Sequence, residues 1–164
     1  MEGAVLPEPK HYRIFILSLI FALAGMVAAH GQVTRVPLPN SNFPISQGVW
    51  VGNTLYLSGM LDTFVMHGTP GDTETQTVHV LQAIQKALEA QHLTLGDVVL
   101  MHAYLAGDPK KDGKMDFVGF MAGYSQFFGT KEQPNKPARS AMQVAALAAP
   151  GSLIEIEVVA VKGS

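Results

Sequence analysis

Hydrophobic and polar positions alternate with a period of two along the last stretch of the chain, Pro137 to Val161. That period predicts two β-strands on either side of a Pro150-Gly151-Ser152 turn. In the second, Ile154, Ile156 and Val158 point to one face, and Glu155 and Glu157 to the other. In the first, Arg139 shares a face with Ala141 and Gln143, while Ala138, Ser140, Met142 and Val144 face the opposite way. Upstream, Val33 to Val36 forms a possible strand. Val49 to Val51 and Thr54 to Ser58 flank Gly52-Asn53, a connection that closes antiparallel hairpins. After a loop at 61–73 the period lengthens. Val78, Leu81, Ile84 and Leu88 fall on one helical stripe, and Thr73 to Gln76 reads as its capping box, so a helix runs to about Gln91. Val98 to Ala106 is strand-like. A second helix follows over about Asp116 to Phe128, packed through residues such as Phe117, Phe120, Met121 and Tyr124, with Gly129 as its stop.

The order is β-β-β-α-β-α-β-β. It predicts an α+β fold, a mostly antiparallel sheet with both helices on one face. The other face is expected to carry Tyr56, Ser58, Arg139, Gln143, Glu155 and Glu157, too polar for a second helix layer yet set among aliphatics. Such a face is expected to dock into a closed homo-oligomer with small-ligand sites at the seams.

Composition narrows the function classes. Of 164 residues, 48% are hydrophobic and 15% charged, so the chain is globular and sized for one domain. A net charge of −2 offers no basic surface for nucleic acid. The absence of cysteine excludes disulfides, thiolate catalysis and cysteine-ligated metals. Lys10, His11 and Arg13 precede an apolar run from Ile14 to Ala29, and small residues follow. This pattern reads as a signal peptide over 1–31, cleaved after Ala29 or Gly31, leaving a single domain at 32–164. The mature chain is then periplasmic or secreted, with no stable membrane association. An uncleaved anchor is the competing reading, but the run is shorter than the roughly 20 residues of a spanning helix.

Arg139 is the sharpest chemical candidate, because its planar fork matches a carboxylate. Read as neighbours, the two C-terminal strands bring Arg139 and Glu155 together as an anion-binding and water-holding pair. The competing account is an ion pair between Arg139 and Glu155 or Glu157. Ser58 lacks the Gly-x-Ser-x-Gly frame of a nucleophile elbow and reads as a pocket-lining or turn-capping residue. His67, His79, His92 and His102 show no paired ligand spacing, so no metal site is expected.

From about Phe43 to Val161 the chain resembles the RidA (YjgF) family of 2-iminoacid and enamine deaminases. The matching segments are Pro44-Ile45-Ser46-Gln47-Gly48, Leu55-Tyr56-Leu57-Ser58-Gly59, the Thr75–Leu88 helix with Gly96-Asp97-Val98, Tyr124 to Phe128, Pro137-Ala138-Arg139-Ser140 and Ile154-Glu155-Ile156-Glu157. The resemblance implies a chorismate-mutase-like fold, a homotrimer and ligand sites between subunits. It implies Arg139 as the grip on a substrate carboxylate and Glu155 as the holder of the attacking water. Ser58, Gly59, Ala141 and Ile45 are the implied substrate-lining residues, and no cofactor is required. Ile45, Met60, Met121 and Ala141 differ from residues frequent in the family, and each makes the implied pocket more apolar. The activity implied is hydrolytic deamination of reactive 2-imino and enamine acids. The alternative is a non-catalytic envelope protein that holds a small carboxylate.

Overall fold

A computed structural model describes residues 31–68 and 70–163. Apart from Gly31, the expected leader lies outside the described residues. No helix among them is long and apolar enough to cross a membrane. Six strands form one sheet: β1 (Val33–Pro37), β2 (Ser46–Val51), β3 (Thr54–Leu61), β4 (Val98–Ala106), β5 (Ala138–Val144) and β6 (Ile154–Val161). Their spatial order is β1-β2-β3-β6-β4-β5. Every pairing is antiparallel except β4 with β5, which is parallel.

Two helices, α1 (Thr73–Glu89) and α2 (Phe117–Tyr124), cover one face. From the sheet, Leu55, Leu57, Met101, Ala103, Leu105, Ile154, Ile156 and Val158 are buried beneath them. From α1 come Val80, Leu81, Ile84 and Leu88, and from α2 Phe120. The apolar positions of β6 and the stripe of α1 are thus the two sides of one core.

Several local expectations need correction. The cap of α1 is Asp72, whose carboxylate accepts from Thr75 N at 2.9 Å; Thr73 is the first helical residue. Asp72 wins because its charged oxygen satisfies a free helix N–H better than a neutral hydroxyl does. The second helix is shorter than its aromatic run. It ends at Tyr124, and Phe127 and Phe128 fold back in turns before Gly129 at φ 74°. The loop after β3 contains a 3-10 turn, Thr63–His67, capped by Asp62.

The largest correction concerns strand order. β5 and β6 are not neighbours, because β4 lies between them. β4 is the strand best suited to a central place, since Met101, Ala103 and Leu105 bury one of its sides completely.

Gln76 ties this core to the start of β6. Its side-chain amide donates to Gly71 O at 2.9 Å and Gly151 O at 3.0 Å, and its carbonyl accepts from Leu153 N at 2.8 Å. A fully buried amide with all three contacts made is a rigid joint. It fixes the chain directly before Ile154 and Glu155.

Candidate functional site

The sheet register assigns each candidate residue to a face. On β5, Arg139 stands opposite Met101 of β4, and Ala141 opposite Ala103, so both lie on the helix-covered side. On β6, Glu155 stands opposite Tyr104 and Glu157 opposite His102, on the open side. Arg139 and Glu155 are therefore on opposite faces of one sheet. The expectation that a single chain pairs them is overturned, as is the placing of Arg139 and Gln143 on the open face. Gln143 turns toward the helix side, where it accepts from Met115 N at 2.9 Å and donates to Gly113 O at 2.9 Å.

Arg139 is held by soft partners. Its guanidinium carbon lies 4.8 Å from the Phe120 ring centre and 4.3 Å from that of Tyr124. Its Nη1 donates to Met121 Sδ at 3.2 Å. Among the described residues the ion pairs are His79 with Asp62, His102 with Glu157 and Lys111 with Asp116, and Arg139 is in none of them. Two aromatic faces hold a cation without neutralising it, and a thioether is a weak acceptor. The guanidinium is oriented and half-buried, yet keeps N–H donors for an anion. Burial raises the Tyr124 phenol above its usual range, and the Arg139 charge works against that rise.

The open face carries the second group. Glu157 Oε1 accepts from Tyr104 Oη at 2.9 Å and lies 2.8 Å from His102 Nδ1. The hydrogen bond to Glu157 is the chief reason the Tyr104 phenol titrates high. Glu155, two residues away on the same face, makes no such bond with the described residues. Burial lifts its carboxyl above the usual carboxylate range, and the Glu157 charge lifts it further. The two carboxylates thus have different surroundings, one anchored and one free.

A bulge in β3 makes room for Glu155. Leu57 pairs with Val158 and Met60 with Ile156, so Ser58 and Gly59 together stand opposite Glu157 alone. A Cβ at Gly59 would collide with Glu155 Oε1, so only glycine lets the carboxylate lie there. Ser58 Oγ donates to Ser46 O at 2.8 Å, tying the bulge to β2. Ile45, directly before β2, is exposed. Ser58, Gly59 and Glu155 therefore belong to one region, with Ile45 adjoining the Ser46 carbonyl that Ser58 holds, and Arg139 and Ala141 belong to another.

Sequence reasoning missed His102, Tyr104, Phe120 and Tyr124 as parts of these regions. The period of two in β4 places His102 and Tyr104 on the polar side together, which is a usable signal. Nothing local marks Phe120 and Tyr124 as the walls of Arg139 rather than plain core.

The family model described as endoribonuclease L-PSP matches residues 37–162. The chain belongs to that family, which includes the RidA, YjgF and RutC proteins. A RutC family protein of Saccharolobus solfataricus is 40% identical over 121 residues, spanning 73% of this chain and 87% of that one. TdcF of Escherichia coli K12, provisionally named a reactive intermediate deaminase, is 30% identical over 127 residues, 77% of this chain and 92% of its own. The crystal structure of E. coli TdcF with bound serine superposes with a TM-score of 0.63 at 29% identity, covering 79% of this chain and 94% of that one. The E. coli YjgF structure gives 0.62 at 32% identity, over 76% and 92%. The α+β, chorismate-mutase-like architecture expected from the sequence is the observed one.

Proposed function

We propose that this RidA-family chain hydrolyses reactive 2-imino and enamine acids to 2-keto acids and ammonia, at sites built from two copies of the chain. One observation supports it above the rest. Arg139 is a half-buried cation with no carboxylate partner among the described residues, and Glu155 is a half-buried carboxylate with no hydrogen-bond donor among them. Such groups are costly to leave unmatched, and each suits a missing partner of the opposite kind. Because they lie on opposite faces of the sheet, one ligand meets both only at a seam between copies. A homotrimer supplies such seams.

In this reading Arg139 binds the substrate carboxylate through paired N–H donors and orients the C=N bond. Glu155 takes a proton from water as the oxygen adds to the imine carbon and hands that proton on to the nitrogen. The resulting carbinolamine collapses, its C–N bond breaks, ammonia leaves and a ketone remains. Every step is proton transfer and addition or elimination, so the chain's own groups suffice for it.

The test generates 2-iminobutyrate in situ with a threonine dehydratase and times the release of 2-oxobutyrate. Wild type accelerates release, and Arg139→Ala lowers the acceleration by about 100-fold or more. Folded wild type that accelerates nothing would instead leave a carboxylate-binding protein.

A further inference from the structure

We propose that His102 and Tyr104 are positioning residues for Glu155, acting through Glu157: they anchor a fixed anion beside the free carboxylate. The proposal rests on the role given to Glu155 above. Its geometry does not.

Strand pairing places four side chains on one patch of the open face, His102 and Tyr104 from β4 and Glu155 and Glu157 from β6. Tyr104 stands directly opposite Glu155, yet its hydroxyl reaches diagonally to Glu157 Oε1 at 2.9 Å. His102 Nδ1 meets the same oxygen at 2.8 Å. Both donors converge on one carboxylate and bypass the other. The convergence has a direct consequence for charge. Oε1 of Glu157 is held on the β4 side of its strand by these two contacts, although its side chain remains part-exposed. From there it acts on Glu155 at about 7 Å, two strand residues away.

The surroundings suit this action. A hollow of about 260 Å³ beside Glu157 is lined mainly by apolar groups, among them Tyr56, Leu57, Leu100, Val158 and Val159. The titratable groups facing Glu157 are His102 and Tyr104 from β4, Glu155 from its own strand, and Tyr56 from β3 across the hollow. Neither lysine nor arginine lines the hollow to cancel the charge. Two carboxyl groups with divergent surroundings can divide labour, the free one trading protons beside a fixed neighbour. Glu155 is raised by burial first and by Glu157 second, which agrees with this division.

The experiment follows side-chain carboxyl carbons by NMR against pH, with the Glu155 signal assigned from its loss in Glu155→Gln. In Glu157→Gln the Glu155 midpoint falls by about half a pH unit, the strength of a like charge at that separation in a near-aqueous dielectric. In the double variant His102→Gln/Tyr104→Phe it falls part of that way, because the released Glu157 carboxylate turns away. Adding His102→Gln to Glu157→Gln changes nothing more, the mark of action through a shared intermediary. The acid limb of the keto-acid release profile moves by the same amount, a response that mere loss of packing would not give. A Glu155 midpoint that stays fixed or rises in the double variant overturns the proposal, as does a further fall when His102→Gln is added to Glu157→Gln. An unmoved midpoint alongside normal turnover removes the coupling and leaves the hydrolase reading intact. Movement in a wild type without turnover does the reverse, showing the coupling while removing its catalytic purpose.

Discussion

The helix-covered face and the open face of the sheet hold their charged groups in contrasting ways. On the covered face a single cation, Arg139, is gripped by two aromatic rings and a thioether, none of which carries charge. On the open face two carboxylates lie together, one tied by two donors and the other by none among the described residues. Packing fixes the cation and hydrogen bonding fixes the anion. Packing tolerates no loss of volume, whereas a hydrogen-bonded surface group tolerates isosteric change. The two halves of the proposed site should therefore fail differently when mutated.

The largest effect is expected on the covered side. Phe120 has no solvent exposure and supports both the core and Arg139. Phe120→Ala should cost about 3–5 kcal/mol in urea unfolding, the usual range for a buried phenylalanine. Glu157→Gln on the open face keeps shape and one acceptor oxygen, and should cost below about 1 kcal/mol. Equal costs would dissolve the contrast.

The next effect tests whether the halves meet between copies. Arg139→Ala and Glu155→Gln should each be nearly inactive alone. Unfolded together at equal concentration and refolded, they should regain about a quarter of wild-type keto-acid release, since about a quarter of the seams then join an intact Arg139 to an intact Glu155. A site inside one chain would regain nothing.

This contrast was only half legible in the sequence. Alternation gave β6 and β4 their limits and correctly put Arg139, Ala141 and Gln143 on one side of their strand. Alternation fixes which residues share a side, but not which side the helices cover. Ala138, Met142 and Val144 look like the core side of β5 by composition. They are not, because β5 is an edge strand, and Phe120 and Tyr124 of α2 pack instead against the Arg139 side. Strand order was illegible for a related reason. The insertion of β4 between β5 and β6 depends on pairings tens of residues apart, which no local period encodes. Asp72 displaced Thr73 as the helix cap by a one-residue shift, within the ordinary latitude of helix ends.

The smallest effect is the most specific to the open face. Folding lifts the Glu155 carboxyl above its unfolded range, chiefly by burial. The folded chain therefore holds this proton more tightly than the unfolded chain does. The resulting stability is fully present below the unfolded carboxylate range and is lost as pH rises through the folded value. Near neutrality, ionised Glu155 thus weakens the fold, and a neutral side chain of the same shape removes that weakness. Glu155→Gln should unfold about 1–2 °C above wild type near pH 8, a modest gain because the group is partly solvated, and the gap should close by about pH 4. The same substitution removes the carboxylate that holds water, so a gain in melting temperature should accompany the loss of keto-acid release. Charge kept at a cost to the fold is what a working carboxylate requires. A Glu155→Gln variant no more stable than wild type at about pH 8 would make Glu155 an ordinary solvated strand residue and would leave the open face without the feature that sets it against Arg139.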